Sequence, residues 1–331
     1  MEIFAAAAPL YDFTSPALKP WHMKVSYQLY DNQGKPGVQG SYEYWWASPD
    51  TYRNTWSRPG MEQTDWQAAG KSYHAGKGES LGYFERKLQV YLLNALVKVK
   101  DIDLEKVRFD REEHTVGGLK FPCVMVIPKT PVQPGEMRTV PLGMFPTFCF
   151  DSTQPLLRVY FALGTGTVVY NKIVKVQGRY LPREISIYEN NRRVLAATVD
   201  MIDAISATAP ELTPSKDAIT GNVVRKVEIS SGVAAGLLLR DKEVRPVYPQ
   251  DAKDARIDGK VVLQASIGTD GHVHDLSAVE GPSPSLIESA MLAVSQWEYK
   301  PYTLNGEPVA VETTINVIFN LGSSSFSRRV P

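Results

Sequence analysis

Strand periodicity limits this chain more than any other feature. Met23, Val25, Tyr27 and Leu29 alternate with other residues, and Tyr42, Tyr44 and Trp46 repeat the pattern. A period of two sends such side chains to one face of a pleated strand. Asp31-Asn32-Gln33-Gly34 and Arg58-Pro59-Gly60 interrupt the runs with turn residues. Residues 21–75 are therefore predicted to be a meander of antiparallel strands paired in sequence order. The period then changes: Phe84, Leu88, Tyr91, Leu92, Ala95 and Leu96 recur three or four apart with charges between them. This predicts an amphipathic helix over 84–98 that covers one face of the sheet. Alternating runs resume at 119–128, 156–163, 168–176, 182–189 and 193–202.

A chain of 331 residues is long for one core and predicts two domains. Residues 206–221 lack periodicity, are rich in Ala, Thr, Ser and Pro, and include Pro210 and Pro214, as expected of an exposed linker. The predicted division is a β-rich domain over 1–205, a linker over 206–221 and a second domain over 222–331. Acidic and basic residues balance at 36 each, so no net field draws the protein to nucleic acid or an anionic membrane. No run of 18 apolar residues occurs to span a bilayer as a helix. Met1 to Leu10 holds Ala5 to Ala8 without a basic region and apolar run, which is not the pattern of an intact signal peptide. Cys123 and Cys149 lie in separate apolar segments without CxxC spacing. They are read either as buried free thiols or as one structural disulfide in an oxidising compartment.

The second domain carries Pro246-Val247-Tyr248-Pro249, then Gly259-Lys260-Val261-Val262-Leu263 and Asp270-Gly271-His272-Val273. Val279-Glu280-Gly281-Pro282 follows, then Trp297-Glu298-Tyr299-Lys300-Pro301 and Asn305-Gly306-Glu307-Pro308-Val309. The alternating runs 261–267 and 273–279 flank Thr269-Asp270-Gly271, whose Asp-Gly pair suits a tight hairpin. Leu286, Ala290, Ala293, Val294 and Trp297 fall at helical spacing, with Ser283 or Ser285 available as N-cap. Residues 311–319 alternate again and are predicted to return as a third strand at the sheet edge.

In order and spacing, residues 243–321 resemble the C-terminal domain family of the energy transducer TonB. The resemblance implies a periplasmic, non-enzymatic binding protein that docks an extended peptide of an outer-membrane receptor by strand addition. It implies that Glu312, Thr313, Thr314, Ile315, Asn316, Val317, Ile318, Phe319 and Asn320 form the docking edge. The same strand is also open to homodimerisation or to cover by the chain's own tail after Gly322. No cofactor is implied, and the precursor's signal or membrane anchor is left open.

Tyr44-Trp45-Trp46-Ala47-Ser48-Pro49-Asp50, Tyr52-Arg53 and Leu181-Pro182-Arg183-Glu184-Ile185 resemble the LolA and LolB lipoprotein-carrier fold over 21–205. That fold is an incomplete antiparallel barrel closed by helices, so the overall class is α+β with a half-barrel-like first domain. Tyr44, Trp46, Trp56 and Trp66 are the aromatic candidates for lining an apolar cavity. This resemblance supplies the alternative function, a lipid or lipoprotein carrier. Trp45 and Trp46 must point to opposite sheet faces, so at most one lines any cavity.

Other chemistry finds little support. His272 and His274 alternate on one strand, the geometry of a two-histidine metal pair, but no completing ligand is evident beyond Asp270 or Asp275, and a solvated hairpin is the plainer reading. Gly164-Thr165-Gly166-Thr167 has no following helix and no Lys, so it is not a phosphate loop. No catalytic signature appears, and no enzyme activity is predicted.

Overall fold

The computed structural model describes residues 6–31, 33–78, 81–96, 107–128, 145–161, 166–189, 191–221, 226–304 and 306–321. Its strands in chain order are β1 Trp21–Tyr30, β2 Pro36–Ser48, β3 Thr51–Arg58, β4 Met61–Ala68, β5 Lys71–Gly78, β6 Val107–Val116, β7 Leu119–Pro128, β8 Thr147–Phe150, β9 Leu157–Phe161 and β10 Gly166–Val176. There follow β11 Arg179–Glu189, β12 Arg192–Ala204, β13 Ile219–Thr220, β14 Lys226–Glu228, β15 Gly259–Ile267, β16 Val273–Glu280, β17 Thr303–Leu304, β18 Glu307–Pro308 and β19 Ala310–Phe319. The helices are α1 Tyr83–Leu93, α2 Ser231–Leu237, α3 Gln250–Asp254 and α4 Pro284–Val294. Among the described residues no helix is long and apolar enough to cross a membrane.

Strands β1 to β13 form one sheet in the order β13-β5-β4-β3-β2-β1-β12-β11-β10-β9-β8-β7-β6. The chain begins at the middle, meanders to one edge through β5, crosses with α1, and meanders back from β6 until β12 pairs with β1. The sheet curls round one aromatic core without closing into a barrel. Helix α1 fills the open side, placing Leu88, Tyr91, Leu92 and Leu93 in that core. The helix ends earlier than its apolar period predicts, with Asn94 as C-cap; residues 97–98 lie outside the described residues. So do Gly164 and Thr165 of the rejected phosphate loop. A buried carboxylate anchors the helix. Glu85 accepts from Tyr27 Oη at 2.5 Å, from Arg58 Nε at 3.1 Å and from the Gly82 N–H at 2.6 Å. Such a charge is tolerable in a core only with partners of this kind.

Strands β6 and β8 lack an alternating signature, for opposite reasons. Edge strand β6 is half-buried at best along its length. Strand β8 is buried at every residue, so both of its faces want bulk.

Strands β14, β15, β16 and β19 form a second sheet in the order β14-β19-β15-β16, and α4 lays Leu286, Ile287, Ala290, Met291 and Val294 into its core. The Ser283 hydroxyl caps α4 by accepting from the Leu286 N–H at 3.2 Å. The Asp-Gly hairpin forms as predicted: Gly271 has φ 79°, and an added Cβ would lie 2.1 Å from the Tyr299 carbonyl oxygen.

Residues 206–221 are mostly exposed, but they do not hang free. Leu212 is buried, Trp66 Nε1 donates to the Glu211 carbonyl at 3.1 Å, and β13 pairs with β5. One apolar side chain and two strand residues are enough to fasten this polar segment to the large sheet. The sheets also share a core: Met125, Ile127 and Phe145 of the first part cluster with the apolar residues of the second sheet.

Candidate functional site

The edge at β19 is built by alternation. Val311, Thr313, Ile315, Val317 and Phe319 are buried, whereas Glu312, Thr314, Asn316 and Ile318 are half-buried on the opposite face. On its inner side the strand pairs with β15 throughout, from Gly259 opposite Phe319 to Ile267 opposite Val311.

The outer side is not wholly open, which departs from the expectation of a third strand at the sheet edge. Strand β14 runs parallel to β19, pairing Lys226 with Ala310, Val227 with Val311 and Glu228 with Glu312. The Ile229 N–H donates to the Glu312 carbonyl at 2.9 Å, so the backbone of Glu312 faces outward. Backbone groups alternate sides along a strand, so those of Thr314, Asn316 and Ile318 also face outward, and those of Thr313, Ile315 and Val317 face β15. Among the described residues, no strand pairs with that outer side beyond Glu312. The chain after Gly322, proposed above as a cover, lies outside the described residues.

Of the nine expected edge residues, Glu312 is thus engaged by β14, and Thr313, Ile315, Val317 and Phe319 turn their side chains into the core. Thr314, Asn316 and Ile318 hold the available main-chain groups, and Asn320 lies exposed just past the end of β19. Two groups on each of three residues allow up to six bonds, each worth about 0.5–1.5 kcal/mol net. Ordering the peptide offsets part of this, so side-chain contacts must contribute to a tight complex.

The four aromatic candidates do not share a face. Register places Tyr42 opposite Trp56 and Trp46 opposite Tyr52 and Trp21. Tyr44, Trp46 and Trp56 point into the large core. Trp66 lies on the other face, where the Arg53 guanidinium sits over Trp45 at 4.5 Å and over Trp66 at 5.6 Å, and His22 stacks on Trp45 at 4.1 Å. Arg53 pairs with Trp45 and with Trp66, so the alternation that separates Trp45 from Trp46 also removes Trp66 from the interior set.

The interior holds a feature that sequence reasoning missed. Trp21 Nε1, Trp46 Nε1, Trp56 Nε1, Tyr42 Oη and Tyr170 Oη are buried without a hydrogen-bond partner among the described residues. Burial pushes the Tyr42 and Tyr170 phenols well above their usual pKa.

Cys123 and Cys149 face each other on β7 and β8 and are bonded, both buried. The two histidines do not converge on a metal. His272 is exposed, and its backbone forms an isolated antiparallel β-bridge with that of Glu298. His274 is buried with both ring nitrogens near carboxylates, so the reading of a wholly solvated hairpin fails for it. Among the described residues no cluster of metal-ligating side chains occurs. A cavity of about 600 Å³ lies between residues 244–251 and α4, lined by Val244, Val247 and Leu292 among others.

Comparison with known proteins bears on the second sheet. Residues 244–321 match the family described as Gram-negative bacterial TonB protein C-terminal. Protein TonB of Vibrio cholerae serotype O1 is 29% identical over 99 residues, covering 28% of this chain and 41% of that protein. The chain thus spans less than half of that relative's length. A solution structure of the Pseudomonas aeruginosa TonB C-terminal domain is 29% identical, covering 27% of this chain and 88% of that one, with a TM-score of 0.23. A LolA superfamily protein of Nitrosomonas europaea covers 64% of this chain and 96% of its own, at 8% identity and a TM-score of 0.40.

Proposed function

We propose that this chain, whose residues 244–321 match the TonB C-terminal family, is a periplasmic binding protein that docks an extended peptide of an outer-membrane partner along β19. It acts by docking, not by turnover. The observation that carries this reading is the outward-facing backbone at Thr314, Asn316 and Ile318, which has no strand partner among the described residues. Such a row of donors and acceptors is a template for an added strand. The Cys123–Cys149 bond supports an oxidising compartment, where disulfides form and persist. Residues 222–331 are taken as the docking domain and 1–205 as its β-rich companion.

Two proline substitutions test the reading. Asn316→Pro deletes an outward donor and leaves the β15 ladder intact, a position where strand proline is tolerated. Val317→Pro deletes a donor facing β15 and disrupts the fold. With extended peptides from outer-membrane receptors, calorimetry on Asn316→Pro is expected to show binding at least tenfold weaker at an unchanged thermal midpoint. Equal affinity for Asn316→Pro and the parent rejects strand addition at this edge.

The unpartnered tips inside the large sheet favour a second reading, a lipid or lipoprotein carrier. Buried polar groups nearly always have partners, and three indole N–H groups with no acceptor among the described residues call for water or a guest bearing acceptor oxygens, such as an acyl ester. Native mass spectrometry of the protein as purified is expected to show bound lipid on this reading; a bare mass opposes it.

A further inference from the structure

His274 belongs to the second sheet, yet it is held largely by the first. Its Nδ1 lies 3.2 Å from Glu189 Oε1 on β11, and its Nε2 lies 3.2 Å from Asp270 Oδ2 in its own hairpin turn. The ring stacks on Tyr83 at 4.0 Å with an interplanar angle of 14° and meets Phe84 edge-on at 5.6 Å. Both aromatic residues belong to the first turn of α1. The His274 side chain is 2% exposed. There is no slack at this point: a Cβ on Gly268 would lie 2.4 Å from Asp270 Oδ1 and 2.9 Å from His274 Cδ2. The apolar contribution of Met125, Ile127 and Phe145 to the shared core is non-directional, whereas hydrogen bonds and ring stacking fix an angle.

We propose that His274 is the pin of a clamp between the two sheets: as an imidazolium it bridges Glu189 and Asp270 on the ring face of Tyr83, and so fixes the orientation of the small sheet on the large one. Among the described residues, the titratable groups around it besides Tyr83 are Glu189 from β11, Asp270 and the exposed His272 from the hairpin, and Lys87 of α1, whose ammonium lies 5.5 Å from the Tyr83 ring. Burial alone pushes the His274 ring down, but its hydrogen bonds to Asp270 and Glu189 outweigh burial and raise it to about 9. Burial likewise raises Asp270, and the bond from His274 reverses this and lowers it. A histidine raised on folding stabilises fully below its unfolded value near 6.5 and ceases to do so as pH passes the folded value. The clamp therefore holds at neutral pH and opens in alkali. None of this depends on the docking reading.

The test uses methyl-labelled full chain and follows two signals by NMR: the tumbling time of each sheet's methyl groups and the His274 ring titration. At pH 7 the parent is expected to show one common tumbling time and a ring that titrates near 9. In Glu189→Gln, whose substitution lies at a partly exposed site on the large sheet and spares the small core, the ring is expected to titrate lower and the small sheet to tumble faster than the large one. His274→Gln is expected to show the same separation at pH 7, and the parent to show it at pH 10. A common tumbling time in Glu189→Gln and in the parent at pH 10 overturns the proposal, as does a ring titrating near 6.5 in the parent.

Discussion

At the scale of single residues, the molecule depends on a few side chains whose freedom is already spent. Gly271 is one: its φ of 79° and the nearby Tyr299 carbonyl leave no room for a side chain. Gly271→Ala is expected to destabilise the second sheet by about 2–4 kcal/mol, measured as a lower urea midpoint with an unchanged slope. A loss within a few tenths of a kcal/mol contradicts the geometry described here. This residue was legible in the sequence, since an Asp-Gly pair between alternating runs has few uses other than a tight turn. His274 was not, because its partner Glu189 lies 85 positions away and no local pattern links them. Trp66 falls apart from the other three aromatic candidates for a related reason: aromatic content is visible in sequence, but the face a tryptophan takes follows from register, which is set across strands.

At the scale of elements, most strands declared themselves by alternation, and those that did not were buried on both faces, as β8 is, or exposed at an edge, as β6 is. The short parallel strand β14 was also silent, since three residues carry no period. Its role is testable. The Ile229 N–H points toward β19, and alternation aims the Val227 N–H the same way, so Val227→Pro removes a bond of β14 without touching the β15 ladder. With β14 loosened, a docking peptide is expected to extend its pairing back to Glu312, seen as new amide protection there and as tighter peptide binding in calorimetry. Unchanged protection at Glu312 indicates that β14 is a fixed part of the sheet.

At the scale of the whole molecule, the two sheets are joined more firmly than the composition of residues 206–221 predicts. Leu212 and β13 fasten residues 206–221 to the large sheet, and the His274 clamp ties the small sheet to the large one. A rise in the His274 ring from 6.5 to about 9 corresponds to on the order of 3 kcal/mol. The parent is therefore expected to lose stability by about that amount between pH 6.5 and pH 9.5, while His274→Gln loses far less. Denaturant midpoints across that range supply the check, and parallel pH profiles for the two proteins contradict it.

The central claim, that β19 accepts an added strand, is tested most directly by residue-resolved amide exchange with and without an extended receptor peptide. The account predicts that binding slows exchange at Thr314, Asn316 and Ile318 and leaves Thr313, Ile315 and Val317, already paired with β15, unchanged. Binding without protection at those three amides, or protection confined to β16, would place the partner elsewhere and contradict the account.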